Sequence, residues 1–288
     1  MDPALELPPD THPYVVLDVF TDTPLCGNQL AVFTAGERFD GAQMQRLARE
    51  LALSETVFVL PPQAGGDARI RIFTPLAELP FAGHPVLGSA FVVATATGRE
   101  HVRLETAGGV VPVALEREAG RVTSGRMEQP IPTWRPYAQG EALLAALGVE
   151  RSIVPIETYT NGPTHVFVVL ERAQQVAELA PDLGALAALG EVCASCLASR
   201  ELGWKTRMFA PALGVSEDPA TGSAAGPLAV HLARHGLTEF GQEIEIEQGT
   251  EITRPSLLRA RAVGSAEQIE RVEVAGAAVF VARGAFSL

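Results

Sequence analysis

The sequence predicts an α+β protein of two pseudo-symmetric lobes with a cleft between them. The main observation is a repeat in which a strand ending in proline, a loop, a glycine turn and an almost uncharged helix follow one another twice. The first copy runs from Phe73-Thr-Pro to Gly83-His-Pro, and the second from Phe209-Ala-Pro to Gly222-Ser. A helix without charged residues is typical of a buried position, so each copy indicates a core with a helix at its centre.

The first half is predicted to contain short strands and one amphipathic helix. Asp40-Gly-Ala-Gln43 has the pattern of a capping box, and apolar residues then recur at helical spacing from Met44 to Leu51. Residues 69–73 alternate polar and apolar side chains, as expected of a half-buried strand. The predicted strands of this half are 14–20, 30–34, 56–60, 69–73, 102–106 and 110–115.

The second half repeats this order after an interruption at residues 129–136. Three prolines there break the pattern, and we interpret the segment as the crossing between the halves. A helix is then predicted at 141–147, a turn at Asn161 similar to the one at Asn28, and a second helix over 174–189. Further strands are predicted at 243–247, 257–262 and 279–282. The predicted lobes are 11–127, completed by strand 278–288, and 128–277, after a flexible leader at 1–10.

The composition restricts the class of protein. Of 288 residues, 47% are hydrophobic and 19% charged, which is typical of a globular protein. A net charge of −12 disfavours nucleic acid and anionic membranes as partners. The apolar run 86–96 is too short to span a bilayer. An odd number of cysteines, three, and the lack of a secretion signal predict a reduced, cytoplasmic protein.

Polar residues beside the two uncharged helices are candidates for chemistry. His84 and Ser223 stand at the predicted helix starts, where unpaired backbone N–H groups and the positive dipole end favour an anion. Glu55 begins a strand after a helix, and Asp218 precedes Thr221-Gly-Ser. Each also has a simpler interpretation: a solvated strand end for Glu55, a core histidine for His84, and ordinary helix capping for Asp218. The repetition in both halves favours the functional interpretation.

Three further patterns are poor candidates for sites. Cys193-Ala-Ser-Cys196 has the spacing of a redox or zinc motif, but no second cysteine pair follows it. His231 and His235 are four residues apart, but no carboxylate lies between them in an H-E-x-x-H pattern, so no metal is predicted. The glycine-rich patterns of nucleotide-binding loops are also lacking from the sequence.

Several separated motifs, in this order, resemble the phenazine-biosynthesis PhzF-like isomerase family, a branch of the diaminopimelate-epimerase-like fold. The motifs are Asp18-Val-Phe-Thr-Asp-Thr-Pro-Leu-Cys-Gly-Asn28, Leu53-Ser-Glu-Thr56, Phe73-Thr-Pro, Glu78-Leu-Pro-Phe-Ala-Gly-His-Pro85, Phe209-Ala-Pro, Glu217-Asp-Pro-Ala-Thr-Gly-Ser-Ala224, Gln248-Gly and Arg254-Pro-Ser256. Two residues depart from the family pattern. Gln29 follows Asn28 where a proline is usual, and Thr253 precedes Arg254 where a glycine is common.

The resemblance implies that each lobe is a curled, mostly antiparallel sheet or barrel around a central helix. It implies a cofactor-independent isomerase that moves a proton between carbons of a small carboxylic acid and forms a homodimer. Glu55 would be its acid/base residue, and His84 and Asp218 would complete the catalytic set. The residues implied to bind substrate are Asn28, Ser54, Gly83, Thr221, Gly222 and Ser223.

Two other functions are compatible with this fold. A cofactor-independent amino-acid racemase or epimerase would use one thiol at each central helix start. At these positions the sequence has Ala82 or His84 in the first half and Ser223 in the second, with no cysteine at either. Cys26 lies in the first predicted hairpin, away from both helices. A small-molecule binding protein without turnover is the second alternative, and the joint presence of Glu55, His84 and Asp218 argues against it.

Overall fold

A computed structural model describes residues 11–288, so the predicted flexible leader at 1–10 lies outside the described residues. The strands of the first half are β1 (Thr11–Val19), β2 (Asn28–Phe33), β3 (Glu55–Leu60), β4 (Ala68–Phe73), β5 (Glu78–Leu79), β6 (His101–Thr106), β7 (Gly109–Glu118) and β8 (Arg121–Gln129). Those of the second half are β9 (Thr133–Pro136), β10 (Glu157–Thr160), β11 (Thr164–Val169), β12 (Cys193–Ser199), β13 (Trp204–Ala210), β14 (Val215–Asp218), β15 (Glu243–Gln248), β16 (Ser256–Gly264), β17 (Ile269–Gly276) and β18 (Ala278–Ser287). The α-helices are α1 (Gly41–Leu51), α2 (Gly83–Thr97), α3 (Gly140–Leu147), α4 (Ala173–Ala177), α5 (Leu183–Ala188) and α6 (Gly222–Arg234).

The pairing of the strands repeats between the halves. Strands β2 and β3 run parallel, as do β11 and β12, and the parallel pair β4–β6 has its counterpart in β13–β15. The other pairs described are antiparallel, and β8 pairs with β17, so the two halves share one continuous sheet that is not closed. The predicted α+β fold with a central helix in each half is confirmed.

The two central helices are buried from their first residue. In α2 every residue from Gly83 to Ala94 is buried, and in α6 every residue from Gly222 to Ala233. Their side chains meet those of the surrounding strands in one apolar core. This burial explains why residues 83–94 and 222–233 include no Asp, Glu, Lys or Arg, because an unpaired charge in this core would lose its hydration.

Truncating a core residue of either helix is expected to destabilise the protein. Leu87 in α2 and Leu228 in α6 are 0% and 1% exposed. Leu87→Ala or Leu228→Ala should lower the free energy of unfolding by roughly 2–5 kcal/mol, because each leaves a cavity. Leu202 is 70% exposed, so Leu202→Ala serves as the control in chemical denaturation. Equal stability of all three variants would contradict the central position of the helices.

The structure corrects one predicted element of the second half. The helix predicted over 174–189 consists of two short helices, α4 and α5, because Pro181 cannot continue a helix and Asp182 caps the next one by accepting from the Ala185 N–H. The proline-rich segment 129–136, predicted as the crossing between the halves, contains strand β9, which pairs with β10. Strands β5, β8, β10, β12, β14 and β17 have no counterpart among the predicted strands.

The last strand of the chain pairs with the first. Strand β18 runs antiparallel to β1 from Ser287 opposite Thr11 to Ala278 opposite Val19, with one irregularity. The opposite edge of β1 pairs with β2, as the predicted hairpin requires. The capping box that begins α1 is also confirmed, since Asp40 and Gln43 exchange side-chain and backbone hydrogen bonds. Within residues 11–288, no helix is long and apolar enough to cross a membrane.

Candidate active site

The N-termini of the two central helices touch each other. A methyl group on Gly83 would lie 2.3 Å from the carbonyl carbon of Gly222 and 2.4 Å from the backbone nitrogen of Ser223. A methyl group on Gly222 would lie 2.9 Å from the backbone nitrogen of His84. Only glycine allows this approach, which brings two positive dipole ends and their free N–H groups to one point.

A cavity of about 400 Å³ opens at this point, between the two halves of the chain. Eight of the nine predicted site residues line it: Ser54, Glu55, Gly83, His84, Asp218, Thr221, Gly222 and Ser223. The ninth, Asn28, lies beneath the wall of the cavity and is buried. The structure therefore brings together residues from β3, α2, β14 and α6 that are far apart in the sequence.

The three predicted catalytic side chains form one connected group. His84 Nε2 lies 3.3 Å from Glu55 Oε2, and neither atom has an aligned hydrogen-bond partner in the part of the chain described. On the other side of the imidazole, His84 Nδ1 lies 3.3 Å from Asn28 Nδ2, which donates to Asp218 Oδ1 at 2.9 Å. Asp218 Oδ2 accepts from Thr221 Oγ1 at 2.7 Å. These two buried atoms thus face each other, in side chains that line the cavity.

Burial sets the protonation of this group. It raises the pKa of Glu55 well above the ordinary value, and the negative charge of Asp218 raises it further. Burial also raises the pKa of Asp218 to about 6, against the opposing hydrogen bonds from Thr221, Asn28 and Ser54. It lowers the pKa of His84 to about 3, so the imidazole is neutral near pH 7.

Three buried amides outside the predicted site residues hold the start of α6. Gln129 Nε2 donates to the Gly222 carbonyl at 2.8 Å. Gln248 Nε2 donates to the Asp218 carbonyl at 2.7 Å and to Thr221 Oγ1 at 2.9 Å. Asn161 Nδ2 donates to the Ser223 carbonyl at 3.0 Å. That carbonyl is free because Pro227, four residues on, has no N–H to donate. The repeat that pairs the Asn161 turn with the Asn28 turn was the available signal for Asn161.

Cys193 lines the cavity, although it is not among the predicted site residues. In the parallel strand pairs, Glu55 lies opposite Leu30 and Cys193 lies opposite His165, so Cys193 occupies in the second half the place of Glu55 in the first. Burial raises the pKa of its thiol to about 12, which leaves it neutral. With Met208 and Ala210 it forms an apolar cluster. The cavity thus has one wall with the titratable side chains of Glu55, His84 and Asp218, and one apolar wall.

The patterns judged to be poor candidates have structural explanations. Cys193 and Cys196 are three residues apart on β12, so their side chains point to opposite faces of the sheet and belong to different apolar clusters. His235 Nε2 lies 3.0 Å from Glu157 Oε2, and His231 Nδ1 lies 3.6 Å from the same oxygen. Arg234 Nη1 donates to that oxygen at 2.7 Å, so a guanidinium already neutralises this carboxylate.

The motif that ends in Arg254-Pro-Ser256 anchors the loop before Asn28. The Arg254 guanidinium donates to Asp18 Oδ1 at 2.6 Å, to the Cys26 carbonyl at 2.6 Å and to the Gly27 carbonyl at 2.9 Å. Thr253 has a φ of 60°, in the left-handed region that favours glycine, which explains the glycine common in the family at this position.

Comparisons with known proteins show which family the chain resembles in sequence and in structure. The model of the family of phenazine biosynthesis-like proteins, PhzC-PhzF, matches residues 17–284. Over 273 residues the chain is 53% identical to the trans-2,3-dihydro-3-hydroxyanthranilate isomerase of Pseudomonas aeruginosa, covering 95% of this chain and 98% of that protein. The structure is similar to that of a PhzF-family phenazine biosynthesis protein from Bacillus anthracis, with a TM-score of 0.83, 25% identity and coverage of 96% and 99% of the two chains. A hydroxyproline epimerase from Agrobacterium vitis shares the fold, with a TM-score of 0.66, 11% identity and coverage of 96% and 92%.

Proposed function

The chain belongs to the family of phenazine biosynthesis-like proteins and is an isomerase, and on this basis we propose that it moves a proton between two carbons of trans-2,3-dihydro-3-hydroxyanthranilate. This compound is the one for which the relative in Pseudomonas aeruginosa is named. We propose Glu55, His84 and Asp218 as the catalytic residues. Asn28, Ser54, Gly83, Thr221, Gly222 and Ser223 are proposed to bind or orient the substrate.

The proposed reaction needs only acid/base chemistry. The Glu55 carboxylate takes a proton from a saturated ring carbon, and the C–H electron pair enters the neighbouring double bonds and the substrate carboxyl group. The Glu55 carboxyl then returns that proton to another ring carbon. Atoms and electrons balance without a co-reactant, so we propose no cofactor. The paired helix N-termini would stabilise the negative charge that develops on the substrate carboxylate.

One observation supports this proposal most directly: Glu55 Oε2 and His84 Nε2 lie 3.3 Å apart, both unpartnered within the described residues, at the meeting point of two helix N-termini. A buried carboxylate with a raised pKa is a stronger base than one in water. The neutral His84 can share a proton with Glu55 without adding a charge. The apolar wall that includes Cys193 and Met208 suits the ring of the substrate.

Proton NMR in D₂O tests the proposal. The protein is mixed with trans-2,3-dihydro-3-hydroxyanthranilate, and the loss of one ring C–H signal and the gain of another are followed with time. Conversion by the protein, above the rate in buffer, supports the isomerase with this substrate. Binding without conversion would instead favour the binding protein without turnover, and conversion of amino-acid enantiomers would favour the racemase.

The pH dependence of the rate is a further expected result. Glu55 must be ionised to act as a base, so kcat/KM should rise with pH, and the midpoint should lie above the ordinary pKa of a glutamate. Because the charge of Asp218 raises the pKa of Glu55, Asp218→Asn should move this midpoint to lower pH, in addition to lowering the maximal rate. A midpoint that stays in place or moves upward would contradict the coupling of the two carboxylates.

We also infer a homodimer from the resemblance to the family, a cytoplasmic location from the three free cysteines, and a carboxylate-bearing substrate from the two helix N-termini. Light scattering coupled to size-exclusion chromatography would test the dimer, with the mass of one 30.4 kDa chain as the contrary result. The lobe boundaries, 11–127 with 278–288 and 128–277, stay a prediction. Limited proteolysis at residues 128–136 would test the boundary between them.

A further inference from the structure

The two halves of the chain contain the same ion pair at the same place. In the first half, Arg71 of β4 binds Glu78 of β5 through Nε and Nη2, at 2.7 and 2.6 Å. In the second half, Arg207 of β13 binds Glu217 of β14 through the same atoms, at 2.8 and 2.7 Å. Each guanidinium also lies 5.1 Å from the ring centre of the phenylalanine two residues on. Each pair therefore ties a short strand to its neighbour just before a central helix.

The two ion pairs differ in their surroundings. The side chains of Arg71 and Glu78 are 30% and 38% exposed, whereas those of Arg207 and Glu217 are 9% and 11% exposed. Arg207 Nη1 also donates to the carbonyls of Val176, Ala177 and Leu179, at 3.3, 3.2 and 2.7 Å. These carbonyls lie at and just beyond the C-terminal end of α4, where helix carbonyls lack partners of their own. The Arg207 guanidinium therefore bonds both to Glu217 and to the carbonyls at the end of α4.

The residue that follows the glutamate also differs between the halves. Strand registers place Leu79 opposite Ile72 and Asp218 opposite Met208, so Leu79 and Asp218 occupy equivalent positions. Successive side chains of a strand point to opposite faces. Glu217 therefore points toward Arg207, and Asp218 points into the cavity. The buried ion pair, Arg207–Glu217, therefore lies in the half in which the glutamate is followed by Asp218, a carboxylate in the cavity wall.

We propose that Arg207 and Glu217 are positioning residues, which hold β14 so that the Asp218 carboxylate stays beside Asn28, Thr221 and Glu55. This proposal rests on the proposed function, because it assigns Asp218 a part in the reaction. The ion pair itself does not touch the substrate. Its effect on the reaction comes from the orientation of a single strand. In the equivalent pair of the first half, Glu78 lines the cavity, but the residue that follows it is Leu79, so Arg71→Lys displaces no carboxylate of the proposed catalytic set.

Substitutions that keep the size of each residue test the proposal. Arg207→Lys keeps the positive charge but loses the bidentate hydrogen bonding to Glu217. Glu217→Gln keeps the shape of the side chain but loses its negative charge. Both should lower kcat by roughly tenfold or more, with a smaller change in KM, because a displaced carboxylate is costly to the reaction. The midpoint of the kcat pH profile should move in both variants. Arg71→Lys is the matched control, with kcat and pH profile as in the wild type.

Three results would overturn the proposal. Wild-type kcat and pH profile in folded Arg207→Lys and Glu217→Gln would show a purely structural ion pair. An effect in Glu217→Gln alone would indicate its charge rather than its position. An equal loss in Arg71→Lys would indicate general destabilisation. Circular dichroism and the melting temperature of each variant establish that it is folded before kinetics are compared.

A measurement without substrate separates this proposal from the proposed function. The carboxyl carbon of Asp218, labelled with ¹³C and assigned through Asp218→Asn, is titrated by NMR in the wild type and in Arg207→Lys. A changed titration curve in Arg207→Lys, and an unchanged one in Arg71→Lys, supports the positioning role even if the substrate assignment fails. Identical curves in all three proteins would overturn it whatever the enzyme converts.

Discussion

Glu55→Gln should lower the turnover rate by about 10²-fold or more, because it removes the base that takes and returns the proton. The glutamine has the shape of the glutamate, so binding of the substrate should be retained. The reason is geometric as well as chemical. Glu55 lines the cavity, and its Oε2 is buried without a hydrogen-bond partner within the described residues, 3.3 Å from His84 Nε2. An amide at this position cannot accept a proton.

Proton NMR in D₂O measures this effect, run for the wild type and the variant with the same substrate. Calorimetric titration then compares the affinity of the two proteins for a carboxylate ligand. Glu50→Gln is the matched control, since Glu50 is an exposed glutamate of α1, outside the cavity. Turnover by Glu55→Gln at the wild-type rate would exclude Glu55 as the base. Lost turnover together with lost binding would assign Glu55 to substrate binding instead.

Gly83→Ala should reduce both stability and activity. Its methyl group would lie 2.3 Å from the Gly222 carbonyl carbon, a backbone atom at a buried helix end that cannot yield easily. Overpacking of this kind typically costs about 1–3 kcal/mol. The relief of the clash would separate the two helix N-termini, and a shift of about 1 Å near the reacting groups can lower the rate by about 10²-fold.

Gly140→Ala is the matched control for this variant. Gly140 also begins a helix, α3, but a methyl group there would meet only Ile156 Cδ1 at 3.5 Å, an ordinary contact. Denaturant titrations and the D₂O assay of both variants give the comparison. If Gly83→Ala matched the wild type in unfolding free energy and turnover, the close contact of the two helices would not be needed for the reaction.

The positions of the site residues could be predicted because the repeat places each motif at a helix start. Phe73-Thr-Pro and Phe209-Ala-Pro both lead through a glycine turn into an almost uncharged helix. Because the two buried helices are equivalent in the two halves, their N-termini were expected at the cleft between the halves. Gly83, His84, Thr221, Gly222 and Ser223 lie in the cavity wall for this reason, whereas Ser54 and Glu55 lie at the start of β3. The resemblance to the family assigned roles to these residues that spacing alone left open.

The protonation of the site could not be predicted, because it depends on burial by residues distant in sequence. Glu55 looked like a solvated strand end from its neighbours in the chain, and only the packed structure places Asp218 near it. The spacing between Cys193 and Cys196 indicated no site. Only the pairing of β12 with β11, which places Cys193 opposite His165, shows that Cys193 lines the cavity. The prediction of one helix over 174–189 was wrong for a local reason. Pro181, which is present in the sequence, interrupts the helix between α4 and α5.

The pairing of β1 with β18 has a consequence for the order in which the protein acquires its structure. Strand β1 is synthesised first among the described strands and its partner last, so one edge of β1 stays open during the whole of translation. Closing so long a loop is entropically costly, and contacts between distant segments slow folding. Until then the open edge is a template for pairing with other chains. We therefore expect the first lobe to mature after the second, although its residues emerge earlier from the ribosome.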